Sequence, residues 1–372
     1  MQANIWPYRL PLMRPLRTAT TVQVVRRGHW LRLAWPGGEV GHGEAAGWPG
    51  FGTGEHQVAT AVADVEATLA ALAPELAPFS SGRGRAAADA SAAAHAWVER
   101  GLGLWQERAV AAVPLEWRHA FEVALWDAAA RAEGVPMARL LSPRAVDQVP
   151  VHVQVQSASE AARAVAAGAQ ALKIKVGHRS RDDDGAHVAG VRSAVGEAVG
   201  LRLDANGAWD APSAERFARM VAAISPEWLE QPVRAGDVAG LARVRRDGAT
   251  RVAVDEGLGS PAALAAHLAA DAADVYVLKP MFLGGPQAIL RAARQVADAG
   301  RDLCLTHAME SPLGSAACLH VAAAVHGELP AGRLRAAGLL PMVGTPPAPA
   351  GPLGQLAVGQ RCGLGVEPDD LS

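Results

Sequence analysis

From Val149 onward, short aliphatic runs alternate with longer alanine-rich segments whose apolar positions recur at helical spacing. The runs are VPVHVQV, ALKIKV, GLRLDAN, EWLEQP, RVAVDEG, VYVLKP and RDLCLTH, starting near Val149, Ala171, Gly200, Glu227, Arg251, Val275 and Arg301. Their starts are roughly evenly spaced, the rhythm of repeated strand–helix units with parallel strands. A weaker eighth strand is predicted near 336–340. Helix signals fit between the runs: Ser157 with Glu160 makes a capping box, Gly168 closes that helix, and Pro212, Pro261 and Pro286 suit first turns. Seven clear units and one weak one predict an α/β protein with a closed, TIM-like (β/α)8 barrel rather than an open doubly wound sheet. No Gly-rich dinucleotide fingerprint follows the first run, which points the same way.

The N-terminal part has another pattern. TTVQVV and WLRLAW alternate apolar and polar positions on either side of a turn at 26–29, the pattern of a hairpin, and an alanine-rich helix is predicted over 56–72. The expected organisation is an α+β capping domain over 1–110, a helical bridge over 111–145, the barrel over 146–340 with its active site at the strand C-terminal ends, and a Gly- and Pro-rich tail over 341–372 that runs back over the capping domain and completes it.

Composition narrows the function classes. With 372 residues, 50% hydrophobic and 19% charged, the chain is long enough for more than one small core and reads as a soluble globular protein. A net charge of -2 with interspersed signs leaves no basic stripe for nucleic acid and no polybasic membrane anchor. The three cysteines, Cys304, Cys318 and Cys362, are too scattered for a disulfide framework or a Cys-rich zinc site. No stretch reaches the roughly 18 apolar residues of a membrane span, so a cytoplasmic location is the default expectation, and a homo-oligomer is left open.

Lysine usage is the sharpest compositional fact. Of 35 basic Lys and Arg residues only Lys173, Lys175 and Lys279 are lysines. Arginine stays protonated at physiological pH, whereas a desolvated lysine can act as a base, so these three positions are where arginine is expected to fail. Lys173 and Lys175 are two apart in a strand and share a face; with Leu172 and Ile174 facing the helices, that face is the barrel interior. Two ammonium groups in one pocket are expected to lower a lysine pKa toward that of a general base. Asp204 with Asn206, then Glu230, then Asp255 with Glu256 end the next three strands, and Lys279 ends the one after. Singly, each acid reads equally well as a helix cap. Together they predict three carboxylates at one barrel mouth, an oxygen-only donor set for Mg2+, with Mn2+ an alternative, flanked by lysines on opposite sides. That arrangement suits removal of a proton α to a carboxylate with the cation stabilising the enediolate. A barrel that only binds a ligand would not need these acids and lysines, nor would Schiff-base chemistry at Lys279 need the three carboxylates.

LKIKVG, LDANGAW, WLEQP, VAVDEGL, VLKP and the bridge FEVALWDAAARAEGVPMARLL resemble the muconate-lactonising branch of the enolase superfamily over nearly the whole chain. The resemblance implies a capping domain over a barrel, Lys175 as base, Lys173 orienting a small-molecule carboxylate substrate, and Lys279 opposite. PLMRPLRTATT, GHGEAAGWPGFGTGEH and THAMESPLGSAACLHVAAAV further resemble the o-succinylbenzoate synthases. That implies a lyase of menaquinone biosynthesis, performing syn-dehydration of 2-succinyl-6-hydroxy-2,4-cyclohexadiene-1-carboxylate, with amides near Gly284, Gly285 and Ser311, and Arg17 or Thr18 of the lid, on the succinyl tail. The alternative is an N-acylamino acid racemase or dipeptide epimerase using the same two lysines. Residues 329–366 contain no acid, whereas dipeptide epimerases resemble one another in an Asp-x-Asp pair near the eighth strand.

Overall fold

Two long antiparallel strands, β1 (Gln2–Arg17) and β2 (Val22–Ala34), open the chain and continue into β3 (Val40–Ala45), giving a sheet ordered β1-β2-β3. The structure is a computed structural model that describes residues 1–372 except 18–21, 49–50, 52, 83, 85, 110–112, 341–352 and 368–372, and without the side chains of residues 14, 16, 17 and 22. β1 is the outer strand, and Pro7 and Pro11, opposite His29 and Val25, leave it with fewer donors to offer another edge. Helices α1 (Glu55–Thr60), α2 (Val62–Leu72), α3 (Ala87–Arg108) and α4 (Leu115–Glu133) follow. The single helix expected over 56–72 is thus two, divided at Ala61.

α4 is buried nearly all round, because the sheet takes one side and the barrel the other. Its seat on β3 depends on glycine: a Cβ at Gly41 or Gly43 would stand 1.8 Å or 1.9 Å from the carbonyl oxygens of Ala124 and Ala120. Helix backbone therefore lies directly on strand backbone. Asp127 of α4 fixes the seat, accepting from the backbone N–H of His42 at 2.9 Å and of Leu364 at 2.8 Å, and from Arg131 Nε at 2.9 Å.

After α5 (Met137–Leu141) and β4 (Gln148–Pro150), the barrel strands are β5 (Val153–Val155), β6 (Ala171–Lys175), β7 (Gly200–Asp204), β8 (Trp228–Glu230), β9 (Val252–Val254), β10 (Val275–Leu278), β11 (Asp302–Thr306) and β12 (Leu334–Gly338). They pair in parallel in chain order, and Val151 beside Ala337 brings the two ends of the sheet together. The connecting helices are α6 (Ala158–Ala166), α7 (Arg181–Val195), α8 (Ala211–Val221), α9 (Val238–Asp247), α10 (Pro261–Ala269), the short α11 (Pro280–Leu283), α12 (Pro286–Asp298) and α13 (Pro312–Glu328). Ser157, Ser180, Asp210, Asp237, Ser260 and Ser311 cap six of them with their own side chains.

Further sequence expectations change. No turn divides the chain at 26–29: Val22–Ala34 is one continuous strand, and its hairpin partner is β1, against which Arg26, Arg27, Gly28 and His29 pair with Leu10, Arg9, Tyr8 and Pro7. The run VPVHVQV is not one barrel strand: Val149 lies in β4, which pairs antiparallel with β13 (Gln355–Ala357) of the tail, and the barrel strand starts at Val153. The described tail accordingly lies along the barrel and the helical segment, where Gly363 meets Val135 and Leu364 meets Asp127; toward the capping sheet, Glu367 comes within 3.8 Å of His42.

Alternation inside the barrel sets the site. Leu172, Ile174, Leu201, Leu203 and Leu229 are fully buried toward the helices. The inward residues lie in cross-strand register, with Gln154, Lys173, Arg202 and Trp228 in one layer and Lys175, Asp204 and Glu230 in the layer above. Among the described residues no helix is long and apolar enough to cross a membrane.

Candidate active site

At the C-terminal ends of β6 to β10 the lysines and acids predicted from sequence come together. Lys173 Nζ bridges Asp204 Oδ2 at 2.8 Å and Glu230 Oε1 at 2.6 Å. Lys175 Nζ donates to the same Asp204 oxygen at 2.7 Å and to Asn206 Oδ1 at 2.5 Å. Lys279 pairs with Asp255 from the other end of the row. The expectation of three carboxylates closing on one point is thereby modified: among the described residues no three acids form such a cluster, because each carboxylate is matched by an ammonium group.

The electrostatics follow this pairing. Burial opposes the charge on Lys173, yet Asp204, Glu230 and Asp255 hold its pKa well above the ordinary lysine value, the reverse of the lowering expected from two neighbouring ammonium groups. Burial also opposes ionisation of Asp204, but Lys173 and Lys175 hold its carboxyl below the usual carboxylate range. Asp255 is pushed up by burial, against Lys279 and with repulsion from Glu256 and Glu230. Glu256 is pushed up by burial and by Asp204, and its Oε2 is a buried oxygen without a partner.

Supporting residues give the acids their aim. Asn206, at φ 45°, donates its backbone N–H to Asp204 Oδ1 at 3.1 Å and its Nδ2 to Glu256 Oε1 at 2.6 Å, so it links Lys175 to Glu256. Gln231, fully buried and at φ 39°, accepts from the backbone N–H groups of Asp255 at 3.0 Å and Gly257 at 3.1 Å, and so shapes the turn that presents Asp255. Gln231 stands in the WLEQP motif, yet nothing in its local sequence announces that role.

The capping domain forms the roof. Phe51 places its ring 4.0 Å from Lys279 Nζ and stacks on Phe282 at 5.0 Å, so it covers a cation as well as packing among Trp48, Tyr8 and Trp30. Glu44 of β3 reaches the barrel loop after β11, accepting from Ser311 N at 3.0 Å, Gly314 N at 3.0 Å, the Ser311 hydroxyl and the Tyr8 hydroxyl. Arg26 donates to the carbonyl oxygens of Met309 at 3.1 Å and Ala46 at 3.0 Å. Neither is found by sequence reasoning, since neither is the lone polar residue of its strand and their partners lie far along the chain. His307, at the end of β11, is held down to about 4 by burial, and both ring nitrogens are engaged, by Leu340 O and Met309 N, so it offers no base.

The expected succinyl-tail amides are not free. Gly284 and Gly285 both donate to the Pro280 carbonyl, and Ser311 is fully buried with its N–H on Glu44. Loop closure onto α11 and the cap–barrel contact use these donors instead. The Arg17 side chain and Thr18 lie outside the described residues.

Four acids, Asp204, Glu230, Asp255 and Glu256, face three lysine ammoniums, a formal surplus of one negative charge when all are ionised, and the acids' donor atoms are oxygen. In its chemistry this oxygen donor set suits a hard divalent cation, which Asp204, Glu230 and Asp255 would hold once their carboxylates turn from the lysines toward it.

A parallel barrel that works at its strand ends beneath its own N-terminal domain defines the class to which fold and site assign the molecule. The chain belongs to the Enolase C-terminal domain-like family, whose model matches residues 156–372, and to the muconate-lactonising branch of the enolase superfamily. It is 39% identical over 189 residues to an o-succinylbenzoate synthase of Thermobifida fusca strain YX, spanning 50% of this chain but only 58% of that enzyme. It is 29% identical over 315 residues to muconate cycloisomerase 1-2 of Acinetobacter lwoffii, spanning 83% of this chain and 77% of that one. The solved N-succinyl Arg/Lys racemase from Bacillus cereus shares the fold, with a TM-score of 0.79 over 99% of this chain and 95% of that one at 22% identity.

Proposed function

We propose that this protein is an o-succinylbenzoate synthase, a hydro-lyase of menaquinone biosynthesis acting on 2-succinyl-6-hydroxy-2,4-cyclohexadiene-1-carboxylate. Asp204, Glu230 and Asp255 would hold one Mg2+, or Mn2+, which when bound supplies Lewis-acid stabilisation of the charge that builds on the substrate carboxylate. Lys175, more exposed than Lys173 at 22% against 13%, is the more accessible lysine of the β6 pair. In its neutral form Lys175 Nζ takes the α-proton from one face of the ring. The bond from the neighbouring carbon to its hydroxyl then breaks, and the same Nζ returns the proton to the departing hydroxide, so water leaves and Lys175 is neutral again. Lys173 orients the substrate carboxylate.

The observation that carries the synthase over the racemase is the setting of Lys279, whose ammonium lies between the Asp255 carboxylate and the Phe51 ring. A dehydration on one face needs only fixed positive charge there, whereas a racemase needs Lys279 to exchange a proton on the second face. The identity to the Thermobifida fusca synthase supports the same reading.

The test is formation of o-succinylbenzoate with Mg2+ by the parent protein and by Lys175→Arg. The parent is expected to turn over and the variant to lose at least about 100-fold, since arginine keeps its proton. No product from the parent would sink the synthase, and an active Lys175→Arg would sink Lys175 as base. Deuterium incorporation at the α-carbon of N-succinyl amino acids in D2O would favour the racemase.

A further inference from the structure

One side chain outside the set of lysines and acids touches a carboxylate of the site from below. Trp228 and Glu230 are two apart on β8 and both point into the barrel, and the fully buried indole Nε1–H donates to Glu230 Oε2 at 3.3 Å. The other oxygen, Oε1, takes Lys173. Glu230 is thus held at both oxygens, by a charged donor at one and a neutral donor at the other.

The difference matters for a cation. An ammonium on a carboxylate oxygen repels an approaching positive ion, whereas an indole N–H orients the carboxylate without a competing charge and, being a donor only, cannot itself ligate. The indole is propped from beneath. The Arg202 guanidinium lies over the ring at 4.1 Å and is itself fixed by His152 Nδ1 at 2.8 Å, the Ala336 carbonyl at 2.5 Å and Glu227 at 2.7 Å. Glu227 balances the arginine charge. The rest of the indole packs on Ala253, Val275, Val277 and Cys304, which cannot hydrogen-bond to it as acceptor side chains of comparable strength.

We propose that Trp228 is a positioning residue that sets Glu230 for a divalent cation, with Arg202 as its prop; this rests on the metal site proposed above. A carboxylate aimed by an outer hydrogen bond ordinarily loses about 10-fold to 100-fold in metal affinity when that partner is removed.

Trp228→Phe tests it, because phenylalanine keeps an aromatic face for Arg202 and removes the N–H. Mn2+ affinity is read from the electron paramagnetic resonance signal of free Mn2+, for the parent, Trp228→Phe and Glu230→Gln. The parent is expected to bind Mn2+, Glu230→Gln to lose it, and Trp228→Phe to weaken it by about tenfold or more with an unchanged far-UV circular dichroism spectrum. Parent-like affinity in Trp228→Phe overturns the positioning role while leaving the metal site standing. No Mn2+ binding by the parent, or parent-like binding by Glu230→Gln, sinks the metal site and the proposal with it. Should Trp228→Phe not fold, Arg202→Lys replaces it: weakened affinity supports the prop, and unchanged affinity overturns it.

Discussion

Glu122 lies fully buried on α4, where its carboxylate accepts from Gln287 N at 2.6 Å and Trp126 Nε1 at 3.4 Å, with Arg118 at 3.5 Å. Burial pushes its pKa up to about 7, against the pull of Arg118. In the unfolded chain the same group releases its proton near 4.5. Between these values the folded state binds more protons, so this residue's contribution to stability falls as pH rises through the window and is level above it. From pH 5 to pH 8 the loss is on the order of a few kcal/mol. Glu122→Gln should therefore show a smaller drop in urea-unfolding free energy over that range than the parent; parallel curves would refute the assignment. Residues of this kind mark the limit of sequence reading. The three lysines are legible because the chain otherwise uses arginine and because alternation fixes their face. Glu122, Gln231 and Glu44 take their roles from partners 165, 24 and 267 residues away, and no local pattern encodes those distances.

Elements repeat the lesson at larger size. Strands β6 to β11 are legible from short aliphatic runs, and Pro212, Pro261 and Pro286 fall in first turns as their chemistry requires. β4 is not legible, because its partner β13 lies about two hundred residues on and shares no turn with it, so the sequence shows only one unbroken valine-rich run. The packing of α4 on β3 is likewise hidden in two glycines that read as turn residues. With a Cβ expected 1.9 Å from the Ala120 carbonyl, Gly43→Ala has no room without moving α4 from the sheet. It should cost about 3 kcal/mol in urea unfolding, whereas Gly103→Ala, which meets nothing within 4 Å, should change stability little or raise it slightly. Equal effects from both would mean that α4 does not rest on β3 in this way.

At the scale of the whole molecule, the capping domain is bound to the barrel at the site rather than away from it. Arg26 and Glu44 hold the loop after β11, Arg118 contacts the Gly284 carbonyl after β10, and Phe51 sits over Lys279. Roof and barrel mouth therefore share residues, and a change in one is felt in the other. The gathering of every lysine at that mouth has a practical side as well. A reagent that acylates primary amines has, apart from a terminal amine, no bystander on this protein: its remaining targets are Lys175, Lys173 and Lys279, with side-chain exposures of 22%, 13% and 8%. Peptide mapping should find them modified in that order, and turnover should vanish with the first lysine modified, whereas full activity with two lysines blocked would contradict their place in the reaction. Mass added to the intact protein thus becomes a direct gauge of how far the mouth is open.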